Sequence, residues 1–350
     1  MKHADFKTLL NHGSSALLSP YAQYALMLNF VKNEYWANGA QAANLAAIPG
    51  YSYTRTGIQG VVNADGSVSS FAADVPAINA NGHNSYKTLT NLLLNAGQSS
   101  ALITQSVTVT AAAHTLAFIG TGSVALSGAA TGTLVGTGAN SQVNLIFTPA
   151  AGSLTLTVTG DVRFAGLMLS TINLPVPVIA TAGATAAIGA GNLSTSMILP
   201  AGDFIIFAEV RSLVTTLINN GAFDASSLTT FWNERIYIST VSGGYSTSFR
   251  TTVGGGIVSS AAIPGTTDGN NLVFFRKVGG TFKSGYVNSG GVVTLGTDVV
   301  SPTPISNKFT SGSAYDGTNG ANGLILQCGV KAGTFDTDAK ILALRTELAA

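Results

Sequence analysis

Residues 88–160 form a stretch of 73 residues without a single Asp, Glu, Lys or Arg, and residues 164–202 form another of 39. Such tracts admit few folds. A transmembrane helix needs about 20 consecutive apolar residues, and here Gly, Thr, Ser and Pro recur too often to allow one. A membrane β-barrel needs strands of about 9–11 residues with aromatic girdles. The strands legible here are shorter, and residues 88–160 hold only Phe118 and Phe147 as aromatics. What remains is a pleated sheet with apolar side chains on one face and small hydroxyl side chains on the other. Residues 103–169 carry that signature. Val107/Val109, Leu116/Phe118, Val124/Leu126, Val143/Leu145/Phe147, Leu154/Leu156/Val158 and Val162/Phe164 alternate with small or polar residues, the period of half-buried antiparallel strands. Gly120-Thr121-Gly122, Ser127-Gly128, Gly136-Thr137-Gly138 and Pro149-Ala150-Ala151-Gly152 separate them. About seven short strands spaced this way predict a small β-sandwich.

Composition extends the reading to the whole chain. Charged residues make up 9%, against about 25% in an average soluble protein, while hydrophobic residues reach 46%, which argues against disorder. Lys+Arg is 16 and Asp+Glu 15, so no cationic surplus exists to neutralise phosphates, and nucleic-acid binding is not expected. The lone Cys328 excludes a disulfide within the chain and a cysteine zinc cage. Residues 1–7 carry an acid and no apolar core follows, so no signal peptide is expected.

The organisation expected is mainly β, in five parts. Residues 1–50 are expected to be helical. Ser19-Pro20 resembles a cap and first turn, and Tyr24, Met27, Leu28 and Val31 then fall at i, i+3, i+4 and i+7. Two readings stay open for this helix: packing on its own domain, or an attachment and oligomerisation contact through those four residues. Residues 51–102 are read as a short β connector containing a hairpin with Asp65-Gly66 at its turn. Residues 103–170 are the small sandwich. Residues 171–202, rich in Pro, Gly and Ala, are a linker or extended crossing. Residues 203–350 are a second β domain that ends in a helix near 336–344. Asp336 or Thr334 is its expected N-cap, and Ile341, Leu344, Arg345 and Leu348 form one face.

Several of these residues resemble tailed-bacteriophage virion proteins. Tyr53-Thr54-Arg55-Thr56, Val62-Asn63-Ala64-Asp65-Gly66, Ala73-Asp74-Val75-Pro76 and Thr90-Asn91-Leu92-Leu93-Leu94-Asn95 are similar to the opening module of that group. The following stretch, with Thr131-Gly132-Thr133-Leu134-Val135-Gly136 and the run 147–160, resembles the β module that comes next. Residues 204–348, closing on Ala314-Tyr315-Asp316-Gly317, resemble a concanavalin A-like, laminin-G-type jelly roll. The chain departs from the pattern at Ala77, where an Arg is usual. The resemblance implies a structural or host-recognition component on a phage head or tail. Such a protein is made in the host cytoplasm, joined to other virion proteins, and commonly a trimer. It does not imply an enzyme.

The residues themselves agree with a non-catalytic reading. Glycosidase chemistry wants two carboxylates about 5–10 Å apart, and only Asp336/Asp338 have same-face strand spacing, at a helix start. No nucleophile elbow exists, and Cys328 lies in an apolar strand. The glycine runs lack the lysine of a phosphate loop. Asp316, Asn319 and Asn322 offer calcium-type oxygens but only one carboxylate, so no metal and no cofactor are expected. Glycans are the last ligand class weighed, through aromatic platforms beside amides, with a core or interface role for the same strand aromatics as the more common alternative. The expected residues are Trp232, Tyr245, Tyr286, Tyr315, Asp316 and Asn319, with Tyr237 also available.

Overall fold

The structure is a computed structural model that describes residues 23–96, 104–212, 220–226, 235–241, 244–250, 257–264, 269–300, 307–312 and 322–350. Strands dominate these residues; the single α-helix among them is Asp338–Ala349.

Two antiparallel sheets form the larger sandwich. One runs in the order Val293–Val300, Thr281–Val287, Asn270–Val278, Phe204–Ser212, Gly323–Ala332, Tyr24–Asn29, Glu34–Ala37, Ala40–Ala42. The strand Gly82–Ser85 joins it by pairing with Gly323–Ala332 ahead of Tyr24–Asn29. The facing sheet runs Ile257–Pro264, Gly244–Arg250, Arg235–Val241, Asn220–Ser226, Lys308–Ser311, Asn192–Ser196, Ser52–Thr54. From Asn192 onward the chain passes back and forth between the two sheets, a jelly-roll arrangement.

Alternation assigns each side chain to a face. Leu26, Leu28, Ile206, Ala208, Val273 and Phe275 point inward, where Phe223, Ile236, Ile238 and Phe309 of the facing sheet meet them. Met27, Ile205, Phe207, Leu272 and Phe274 point the other way and are covered by Ile341, Leu344 and Leu348 of the helix. Each such side chain contributes about 1.5–3 kcal/mol by leaving water. Because both faces are covered, these strands read as continuous apolar runs rather than alternating ones. The helix begins after Thr337, not at Asp336 or Thr334. Asp336 instead pairs with Lys340 at 2.7 Å, and Thr334 Oγ1 donates to Asp203 at 2.9 Å.

The expected N-terminal helical region is overturned by the strands Tyr24–Asn29, Glu34–Ala37 and Ala40–Ala42; residues 1–22 lie outside the described residues. The misreading has a physical source. A register shift between Tyr24 and Leu26 marks a bulge in the pairing with Gly323–Ala332. It puts Tyr24 and Met27 on one face, three residues apart. Leu28 then fills the opposite face. A helix template matches that spacing by coincidence. Tyr24, Met27 and Leu28 are therefore core residues, with 1%, 0% and 0% of their surface exposed, while Val31 is exposed.

The smaller sandwich is built on residues 104–168, with one strand added from before them and one from after. Its four-stranded sheet has the order Thr104–Val109, Gly152–Thr159, Ser123–Gly128, Gly132–Val135. Its five-stranded partner has the order Gly138–Phe147, His114–Gly120, Arg163–Met168, Leu89–Asn91, Ala186–Ile188. Leu116, Phe118, Val124, Leu154, Leu156 and Leu167 fill the space between. Residues 171–202 thus supply a strand to each sandwich: Ala186–Ile188 to the smaller and Asn192–Ser196 to the larger.

Residues 51–95 join the two bodies. The hairpin Gln59–Val62/Val68–Phe71 turns at Asp65, whose Oδ1 accepts from the Ser67 N–H at 2.9 Å. Gly66 has φ +76°, and a Cβ there would stand 2.2 Å from the Asn140 carbonyl oxygen, so the hairpin tip is seated on the smaller sandwich. Gly60 and Val178 exchange backbone hydrogen bonds of 2.7 and 2.9 Å.

A chain lacking residues 1–50 is expected to lose cooperative folding, because it lacks three strands and the core side chains Leu26, Leu28, Phe30 and Tyr35. Thermal unfolding followed by near-UV circular dichroism checks this: a sharp transition like that of the full chain would contradict the packing described.

Candidate functional site

Of the six residues expected to bind glycans, two, Tyr245 and Tyr286, lie among the described residues. Tyr245 and Tyr286 stand against each other with ring centroids 5.0 Å apart, but inside the sandwich, at 1% and 4% exposure. Burial, with Tyr286 nearby, raises the Tyr245 phenol above its usual range. Tyr237 is buried too. Trp232, Tyr315, Asp316 and Asn319 lie outside the described residues. No three His, Cys, Asp or Glu side chains gather among the described residues. Cys328 is buried, its thiol pushed up to about 12 by desolvation, and Sγ lies 3.4 Å from Ser311 Oγ.

The surface opens elsewhere. On one side the sheets meet, where Ile257–Pro264 lies against Val293–Val300. A cleft of about 530 Å³ opens beside Ser52–Thr54, the last strand of the facing sheet. Phe30, Tyr35 and Tyr51 supply its aromatic lining, and Asn33, Asn44 and Asn79 its amides. None of the described lining residues carries a charge. Val31, expected to be a contact residue, lines the cleft as well.

Local sequence fixes each wall. The turn after Tyr24–Asn29 is held by Asn29 Oδ1, which accepts from the Lys32 N–H at 2.9 Å. Asn33 adopts φ +56°, a left-handed conformation that Asn tolerates. Asn44 caps the 3-10 turn Leu45–Ala47, accepting the Ala47 N–H at 3.1 Å. Asn79 Oδ1 accepts from the Asn81 N–H at 3.0 Å and turns the chain into Gly82–Ser85. Phe30 and Tyr35 are fully buried, and Tyr51 is half-buried. Burial, aided by Tyr51 and then Cys328, pushes the Tyr35 phenol up to about 12.

Next to Phe30 lies a polar layer. His83 is wholly buried with neither ring nitrogen hydrogen-bonded, between Phe30 at 5.3 Å and Tyr53 at 5.9 Å centroid distance. Desolvation, reinforced by the Arg55 charge, holds its pKa at about 3. Arg55 is also buried. One guanidinium nitrogen donates to the carbonyl oxygens of Phe71, Ala72 and Val75 at 3.2, 2.8 and 3.0 Å. The backbone N–H of Arg55 donates to Asp74 Oδ1 at 2.9 Å. The aromatic-x-Arg motif therefore clamps the loop that carries Asp74-Val75-Pro76. Ala77 is fully buried, and its carbonyl accepts from Asn84, so no arginine fits at that position.

Sequence reasoning missed the cleft because its residues sit on turns. The available signal was the recurrence of Asn29, Asn33, Asn38 and Asn44 around Tyr35-Trp36, a turn chemistry that a helical reading of the segment concealed.

No protein-family model matches the chain, and no curated protein matches it. Similar solved structures include the CBM40 of the Ruminococcus gnavus IT-sialidase bound to α2,3-sialyllactose. It shows 13% identity over 42% of this chain and 83% of that one, with a TM-score of 0.31. Domains LG4-5 of the mouse laminin α1 chain match at 11% identity over 74% and 90%, with a TM-score of 0.25. The LG1-3 region of the laminin α2 chain matches at 8% over 66% and 67%, with a TM-score of 0.28. Likenesses at these scores carry no argument about what this chain binds.

Two outcomes follow from the polar layer. Arg55→Met removes the donor from three carbonyls and is expected to cost about 3 kcal/mol or more, read from urea unfolding. His83 titrates near 6.5 when unfolded and near 3 when folded, so the unfolded chain binds the extra proton in that window. Stability should therefore fall as pH drops below 6.5, by about 1.4 kcal/mol per unit down to 3. Comparing urea unfolding at pH 7 and 4.5, His83→Leu should lose about 2–3 kcal/mol less than the wild type. Equal losses would reject the assignment.

Proposed function

We propose that this chain is a non-enzymatic structural component of a phage particle surface, carried as a homo-oligomer among other virion proteins, and that it also holds glycans. The observation that carries the structural reading is the joint. The residues that resemble the virion opening module are the ones that weld the two sandwiches. Arg55 clamps the loop at Phe71–Val75. Asn91 Nδ2 donates to the Ala165 and Ile179 carbonyls at 3.1 and 2.9 Å, deep in the smaller body. Gly82–Ser85 runs into the larger sheet. Tyr86, Leu89, Met168, Ile172 and Leu324 then pack together where the two sandwiches meet, and a joint fixed by a buried apolar cluster suits a protein that transmits load along a particle.

Low charge supports the oligomeric part. Only 16 cationic and 15 anionic side chains serve 350 residues, and edge strands such as Gly132–Val135 lack a partner on one side within their sheet. Both features favour a closed symmetric assembly.

Gold-labelled antibody on purified particles tests the reading. Label is expected on the capsid or tail surface, and label at the tail tip alone would make host adsorption its main task. Light scattering of the purified chain is expected to give a trimer. Unlabelled particles together with a monodisperse monomer would overturn the proposal.

A further inference from the structure

We infer that the cleft between Tyr51 and the turns at Asn33 and Asn44 is a binding site for an uncharged saccharide. This rests on the glycan part of the reading above. Of the residues expected from sequence, the described lining of the cleft includes Val31.

The inference starts from which lining groups are free. Asn79 is spent, because its Oδ1 accepts from Asn81 and its Nδ2 donates to Asn63 Oδ1 at 3.4 Å. Asn44 Oδ1 accepts from the Ala47 N–H, which leaves its Nδ2 available. The amide of exposed Asn33 and the hydroxyl of half-buried Tyr51 take no partner among the described residues. The cleft thus offers two amides and a phenol hydroxyl, with both donor and acceptor capacity. They stand around an apolar surface made by Tyr51, Val31, Pro76 and Ile78.

That combination selects a ligand class. Sugars present hydroxyls that donate and accept around their rim and an apolar C–H face across the ring. Tyr51 can cover such a face, while Asn33 and Asn44 engage the rim. A volume of about 530 Å³ falls in the range of small-molecule sites. Charge decides within the class. With no cation among the described lining residues, a carboxylate or sulfate would be partly desolvated without a counter-ion. Neutral sugars carry no such penalty. Phe30 and Tyr35 form the buried back wall and hold the shape without offering a free face.

The test is isothermal titration of the full chain with lactose, chitotriose and maltotriose, and with 3′-sialyllactose as the acidic probe, beside a broad glycan array. At least one neutral sugar is expected to bind, and 3′-sialyllactose no more tightly than lactose. Tyr51→Ala should weaken that binding about tenfold and Asn33→Ala about threefold. Because Tyr51 is half-buried, Tyr51→Phe serves as a second variant that keeps the ring; it should retain most of the affinity. Neutral-sugar binding untouched by both Tyr51→Ala and Asn33→Ala would place the site elsewhere, overturning the inference and leaving the glycan reading intact. Preference for the sialylated probe would overturn the charge argument. Silence across both the titrations and the array would overturn the glycan reading together with the inference.

Discussion

The strand Gly323–Ala332 is the constraint on which the larger sandwich depends. It pairs along its length with Phe204–Ser212 on one edge. On the other edge it pairs first with Gly82–Ser85 and then with Tyr24–Asn29. Three distant parts of the chain therefore close on one strand. Close approach is enforced at Gly329, where a Cβ would stand 2.3 Å from the Leu26 carbonyl oxygen. Cys328 and Val330 face the inner core from this strand. Gln327 Nε2 ties its middle to Glu209 at 2.7 Å and to the Leu348 carbonyl at 3.2 Å, fastening the helix end. Lys331 does the same through Glu347, at 2.5 Å.

The cleft is a consequence of that closure. Gly82–Ser85 and Tyr24–Asn29 follow one another along the same edge of Gly323–Ala332, and the turns that leave them diverge. Their divergence exposes amides and leaves Phe30 and Tyr35 as a back wall. His83 and Arg55 fill the inner polar layer at desolvation cost. Arg55 offsets that cost with three carbonyl acceptors, and His83 stays neutral. A fold that needs a buried arginine to close a loop gains a fixed loop position, which sets where Pro76 and Ile78 stand on the cleft wall.

How much of this could be read beforehand varied with burial on one face or two. In the four-stranded sheet of the smaller sandwich, Gly152–Thr159 keeps one face largely wet, so Leu154, Leu156 and Val158 alternate with Ser and Thr and the period is plain. The hairpin at Asp65-Gly66 was equally legible, because its signal is local turn chemistry. Tyr24–Asn29 was not. Both of its faces are buried, a bulge breaks its period, and i, i+3, i+4 spacing then fits a helix as well as a strand. Inward placement likewise puts Tyr245 and Tyr286, expected as sugar platforms, in the core between the sheets.

Sequence alone determined the strand-rich character, the positions of one-faced strands and tight turns, and the apolar face of the C-terminal helix. Each of these follows from residues within a few positions of one another, through pleat alternation, glycine and aspartate turn geometry, or helical spacing. Tertiary structure decided that Tyr24–Asn29 belongs beside Gly323–Ala332, that Arg55 reaches three carbonyls, and that Tyr51, Asn33 and Asn44 share one cleft. Those outcomes depend on contacts between residues that are not neighbours in sequence, whose register is set by packing and closure rather than by any local preference.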